Sequence, residues 1–158
     1  MIVARFAEIN SADTTFTIVG GDIKTMRFEV FPAVIPVLYL AVKILLGPGD
    51  FDRRHELRLR MLDDQDQVVH DILEGQLDSP APPAPLKFNH ISSVFVMANL
   101  ILPTSGSYHI KMYINGVEAK SVRLKVEAPS EIPEVIPAGA AFEVGMVTTS
   151  STSDPEVS

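Results

Sequence analysis

Pro103-Thr-Ser-Gly-Ser-Tyr108-His-Ile110-Lys-Met112-Tyr-Ile114-Asn115-Gly116-Val-Glu-Ala-Lys-Ser-Val122-Arg-Leu124-Lys-Val126 is the stretch that decides the fold. Tyr108, Ile110, Met112 and Ile114 alternate with His109, Lys111 and Tyr113, and after Asn115-Gly116, Val122, Leu124 and Val126 alternate with Arg123 and Lys125. Successive side chains of a strand point to opposite faces, so this pattern gives each strand one buried and one solvated face. Asn-Gly accepts the positive φ angles that a two-residue hairpin turn requires. The stretch therefore predicts a turn, a strand, a tight hairpin and a closing strand. It sets the class as all-β and the end of the folded domain at Val126.

Working outward, strand-like runs recur between turn signals. They are residues 2–9, Thr14–Val19, Thr25–Phe31 stopped by Pro32, Val37–Leu46, His55–Leu62, Gln67–Leu73 and Phe88–Leu102. In Phe88–Leu102 the apolar parity shifts around Ile91–Val94, which predicts a bulge. Between the last two runs, Ser79-Pro-Ala-Pro-Pro-Ala-Pro85 cannot form a ladder, because proline has no N–H to donate; it reads as a crossover between two sheets. About nine short strands and no helix predict an immunoglobulin-like antiparallel β-sandwich. Gly106-x-Tyr108 fits a tyrosine corner, although the core Trp and Cys pair of antibody domains are missing.

Composition narrows the function classes. The chain of 158 residues is 46% apolar, enough for one domain with a core. It contains no cysteine, which removes disulfides, thiolate zinc sites and thiol catalysis and tilts the reading toward a reducing compartment. Arg5 and Glu8 stand where a signal peptide needs its apolar centre, so the expected location is cytoplasmic. The longest apolar stretch, Ala33–Leu46, is interrupted by Pro36 and Lys43 and is too short for a membrane helix; no membrane partner is expected. Of the net charge of −7, six units are carried by residues 127–158, which hold Glu127, Glu131, Glu134, Glu143, Asp154 and Glu156 and no basic residue. Residues 1–126 keep the other 14 acidic residues against 13 basic ones. That balance argues against a nucleic-acid partner, which needs a basic excess. Residues 127–158, rich in Pro, Ser and Thr, read as a mostly disordered acidic tail, in which 142–147 is a short apolar segment suited to docking as an extra strand or binding a partner.

No motif for chemistry stands out. Ile18-Val19-Gly20-Gly21 matches an activated serine-protease N-terminus, but the nucleophile motif is missing and the chain is too short for two barrels; it reads as a strand ending in a glycine turn. Asp63, Asp64 and Asp66 lack the glycine and distal glutamate of a calcium loop and read as a turn. His55, His70, His90 and His109 are scattered, and no Gly-x-Ser-x-Gly elbow or phosphate loop is present. Catalytic residues, cofactors and metals are therefore expected to be none. Arg53, Arg54, Arg58 and Arg60 read as a solvated strand face.

Two surfaces remain. Leu38, Leu40, Val42, Ile44 and Leu46 form one face of the fourth strand, and the opposite face carries Val37, Tyr39, Ala41 and Leu45, apolar where a two-sheet sandwich meets water. Such a face marks an interface or a covered layer. On the closing hairpin, Lys111, Tyr113, Arg123 and Lys125, with His109, offer a place for the acidic tail or an acidic partner.

Two segments also carry a resemblance. Thr17-Ile-Val-Gly-Gly21 followed by Phe31-Pro32-Ala-Val-Ile-Pro36, and Gly106-Ser-Tyr108 followed by Asn115-Gly116, resemble in order a small bacterial β-sandwich family catalogued as a domain of unknown function. The resemblance spans residues 1–126. It implies a bacterial or phage-related source and an immunoglobulin-like fold, and it implies no catalytic residue.

The expected function is that of a non-catalytic β-sandwich acting through protein–protein contacts or as a structural element, with a protein partner or a second copy of itself. The alternative is a ligand- or carbohydrate-binding module, for which Tyr113 is the candidate aromatic platform. A third reading is a metal-dependent hydrolase using the histidines and Asp63–Asp66.

Overall fold

The computed structural model describes residues 1–129. The expected acidic tail, with 142–147 inside it, lies outside the described residues apart from its first positions. The strands are β1 (Ile2–Ile9), β2 (Phe16–Gly21), β3 (Thr25–Arg27), β4 (Ala33–Leu46), β5 (Arg53–Leu62), β6 (Val68–Ser79), β7 (Asn89–Leu102), β8 (Gly106–Ile114) and β9 (Val117–Glu127). They form two sheets, a four-stranded one in the order β2-β1-β4-β7 and a five-stranded one in the order β3-β9-β8-β5-β6. The class is an all-β sandwich, as expected, and every pairing is antiparallel except β3 with β9. No helix among the described residues is long and apolar enough to cross a membrane.

The inward alternation does what the sequence pattern requires. Leu38, Leu40, Val42, Ile44 and Leu46 of β4 pack in one core with Leu57, Leu59 and Met61 of β5, Tyr108, Ile110 and Met112 of β8, and Leu124 and Val126 of β9. The proline-rich segment leads from β6 in one sheet to β7 in the other, so it is the expected crossover.

Several boundaries differ from expectation, and β6 differs most, running on to Ser79 where the sequence pattern placed its end at Leu73. β4 begins at Ala33 rather than Val37 and runs through Pro36. Its inward parity changes there: Ala33 and Ile35 are buried, Pro36 and Val37 both face out, and Leu38 is buried again. β7 mirrors this opposite Val37, with Ala98 and Asn99 both outward and Asn99 at φ 52°. The irregularity of β7 thus sits at Ala98–Asn99 and not at Ile91–Val94. The apparent shift at 91–94 arises because Val94 and Val96 are apolar residues on the outward face, while Ser93 points inward beside Val42. β3, expected to reach Phe31, stops at Arg27, where its partner β9 ends at Glu127.

The hairpin tip is held by more than its turn. Asn115 and Gly116 have φ of 52° and 78°, the positive values of a two-residue turn. Asn115 also ties the turn to β5: its N–H donates to the Glu56 carbonyl (2.9 Å), and its Oδ1 accepts from the Glu56 N–H (2.9 Å). That acceptor role leaves Nδ2 to donate to His55 Nδ1 at 3.0 Å. His55 therefore carries its proton on Nε2, which donates to the Asp50 carbonyl at 3.1 Å. At the other end of β8, the Tyr108 hydroxyl donates to the Thr104 carbonyl at 2.7 Å, the expected tyrosine-corner contact.

Asn115→Ala should cost about 2–3 kcal/mol, because it strands the His55 acceptor and puts a Cβ without a polar handle at positive φ. Asn115→Gly, which relieves the strain alone, should cost about 1 kcal/mol less. Tyr108→Phe should cost about 1 kcal/mol for its lost hydrogen bond. Urea unfolding of the three variants checks the order.

Candidate interaction surface

The two outward faces of the sandwich differ in kind. On the four-stranded sheet, strand register places side chains in rows. Val19 stands opposite Phe6. Gly21, Ala4, Tyr39 and Val96 form the next row, and Ile2, Ala41 and Val94 the one after. Phe6 and Tyr39 touch, with ring centroids 5.4 Å apart. Large apolar side chains project into water: Val96 and Leu45 are each 59% exposed and Val19 is 57% exposed. Between them Ala4 and Ala41, on the same face, are 0% and 2% exposed. Ala41 is thus placed on the predicted face but is not an exposed contact; its single methyl lies below its taller neighbours and forms the floor of the patch. Val37, Tyr39 and Leu45 reach solvent as expected. Sequence reading of β4 alone missed Ile2, Phe6, Val19, Val94 and Val96. Their outward parity depends on register with β4, and no single strand states that register. The charged outward residues, Glu8 and Lys43, lie at opposite ends of the face and have no ion-pair partner among the described residues.

The five-stranded sheet presents a laced polar face. Arg54 pairs with Asp78 (2.9 Å), Arg58 with Glu56 (3.0 Å) and Glu74 (2.9 Å), and Arg60 with Asp71 (2.7 Å). Three of these acids are the cross-strand neighbours of their arginines on β6, which turns the arginine run into a neutral ladder. The residues expected to receive an acidic tail are largely engaged within the sheet. Lys111 reaches Asp66 at 2.8 Å and Glu118 at 3.5 Å, and Lys125 reaches Glu127 at 2.7 Å. Arg123 bonds to Ser107 Oγ at 2.8 Å. Tyr113, the candidate platform, is half-buried beside Glu56, Arg58 and Arg60 in a depression of about 170 Å³. The hydrogen bond from Lys111 holds the Asp66 carboxyl below its ordinary range, and Asp66 in turn raises Lys111.

Asp63, Ser79 and His70 have structural partners. Asp63 Oδ1 accepts from the Gln65 and Gln67 N–H groups, an Asx-type turn. Buried Ser79 hydrogen-bonds to the Asp50 carbonyl and lies 2.9 Å from that of Arg53. His70 Nε2 lies 2.8 Å from the Ile101 carbonyl and 3.0 Å from its N–H, on the outer edge of β7. Among the described residues no three His, Asp or Glu side chains are grouped to hold a metal ion.

Glu127 joins Lys125 (2.7 Å) and Arg27 (3.0 Å), and their hydrogen bonds, Lys125 first, lower its pKa. A carboxylate lowered on folding contributes stability that is complete above its unfolded pKa, about 4.3, and lost as pH falls through the folded value. Wild type should therefore lose more stability than Glu127→Gln between pH 5 and 3, while the two change in parallel from pH 6 to 8. Urea midpoints at those pH values check this.

A family model described as a family of unknown function (DUF6941) matches residues 1–127, from the start of β1 through the last residue of β9. No curated protein and no solved structure matches the chain.

Proposed function

Because the chain belongs to DUF6941, a family of unknown function, we propose from its surface that it is a non-catalytic β-sandwich whose work is protein–protein contact, made through the outward face of the β2-β1-β4-β7 sheet. The observation that carries this reading is the set of projecting Val19, Phe6, Tyr39 and Val96, in two adjacent rows around an alanine floor, on a sheet face that no further layer of the described residues covers. A contiguous apolar patch on a soluble domain marks an interaction site. The other sheet supports the assignment by contrast, since its charges are already neutralised by neighbours. Two of the four histidines have structural work, as does buried Ser79: His55 holds the hairpin tip, His70 meets the β7 edge and Ser79 braces the Asp50 turn.

The sandwich is read as immunoglobulin-like on two supports. β4 neighbours β7 in one sheet, and β5, β8 and β9 are neighbours in the other, matching the B–E and C–F–G groupings of that fold. Tyr108 makes the corner bond at the start of the F-equivalent strand. A bacterial, cytoplasmic setting completes the reading, supported by the cysteine-free sequence and the resemblance of its turn motifs.

Photo-crosslinking tests the surface. A benzophenone side chain placed at Val96 or Val37 of the full chain, irradiated in cells of the source, should give discrete adducts, whereas one at Arg54 or Glu74 should give none above background. An equal or inverted pattern would overturn the reading.

A further inference from the structure

We infer that the occupant of this face is a second copy of the chain, stacked sheet on sheet about a two-fold axis that runs in the interface plane across the strands. The inference rests on the contact function proposed above and names its partner.

Three observations favour a second copy. First, the sheet edges are poor alternatives for self-association, which leaves the face. β3 is three residues long, and β2 carries Gly20 at φ 58°. His70 Nε2 hydrogen-bonds to one backbone group of Ile101 on the edge of β7, and β6 has two register shifts against β5 and bears Asp71, Glu74 and Asp78. Short, kinked, capped and charged edges are the devices that stop strand addition.

Second, the patch reaches interface size. Four strands at about 4.8 Å spacing and a rise of about 27 Å centred on the Tyr39 row outline at most roughly 500 Å² on each copy. Two copies would bury up to about 1,000 Å², the lower bound for a specific interface. Residues 1–126 hold 14 acidic and 13 basic residues, so two bodies meet with little net repulsion.

Third, the face is complementary to itself in one orientation. β1 and β4 run antiparallel, with Ala4 opposite Tyr39 and Ile2 opposite Ala41. Glu8 therefore lies at the Val37 end of the patch and Lys43 at the other. An in-plane axis along the strands would set Glu8 over Glu8. An axis across them, through the Ala4–Tyr39 row, sets the Glu8 end of each copy over the Lys43 end of the other, and places Phe6 over the row of Ile2 and Ala41. This interface is isologous: each copy uses the same patch, and every contact occurs twice. The two carboxylates and two ammoniums, unpaired in the described chain, pair across its rim.

Sedimentation velocity on the full-length chain over a concentration series tests the inference. Wild type should be a reversible dimer. Tyr39→Asp should be monomeric with an unchanged circular dichroism spectrum. Exposed ion pairs are each worth a few-fold in affinity and the dimer holds two, so Lys43→Glu should weaken dimerisation about tenfold. The reversal Glu8→Lys/Lys43→Glu should recover wild-type affinity to within about threefold, an outcome that a fault in folding would not produce. A wild-type monomer at about 200 µM, or a dimer indifferent to both Tyr39 and the charge reversal, would overturn it. So would a wild-type monomer that dimerises when Phe142→Asp is introduced, since the tail would then be the occupant. If crosslinks at Val96 join a different protein while the chain sediments as a monomer, the second copy is excluded and the contact function stands. If Val96 gives no adduct and the chain is monomeric, both fall.

Discussion

The structure depends on the contact between the inward row of β4 and the facing rows of β5, β8 and β9. Leu40, Leu59, Ile110 and Leu124 are all fully buried, and the buried polar side chains among the described residues are His55 and Ser79. An apolar interior of this kind gains its free energy from area removed from water and is indifferent to direction. It holds two sheets together without saying how they are registered. Register comes from the devices at the periphery: the Asn115-Gly116 turn, the tyrosine corner and the charge ladder between β5 and β6.

Asn115 shows how one residue can serve two levels at once. Its tolerance of positive φ makes the two-residue turn, a local property legible from the dipeptide. Its side-chain amide reaches β5 and sets the tautomer of His55, which belongs to the tertiary structure because residues 55 and 115 meet only after folding. His55 is buried and satisfied because the hairpin closes over it. From the sequence it was one of four scattered histidines.

The asymmetry between the two outward faces is what gives the domain a direction. One sheet turns its polar side chains into a self-neutralised lattice of arginines and carboxylates, so solvent already meets its needs. The other offers valines, aromatic rings and alanines across four strands. The same alternation rule produces both faces. They differ in the residues that fill the outward positions, and on β1, β4 and β7 most of those positions are apolar. This also explains why the irregularity of β7 was misplaced when read from parity: a strand apolar on both sides gives no contrast from which parity can be counted.

The sequence by itself determined the all-β class, the closing hairpin, the inward rows of β4, β5, β8 and β9 and the crossover after β6, because each depends on neighbours a few residues apart: alternation, turn chemistry or a missing proline donor. It also showed Val37, Tyr39 and Leu45 as an oddity on one strand. Only the tertiary structure decided that Ile2, Phe6, Val19, Val94 and Val96 complete that patch, that Ala41 lies beneath it, and that the hairpin cations already have partners. The physical reason is that a patch or an ion pair is a property of distance in space. Strand order and register set that distance, and they bring together residues as far apart as 6 and 39, or 66 and 111.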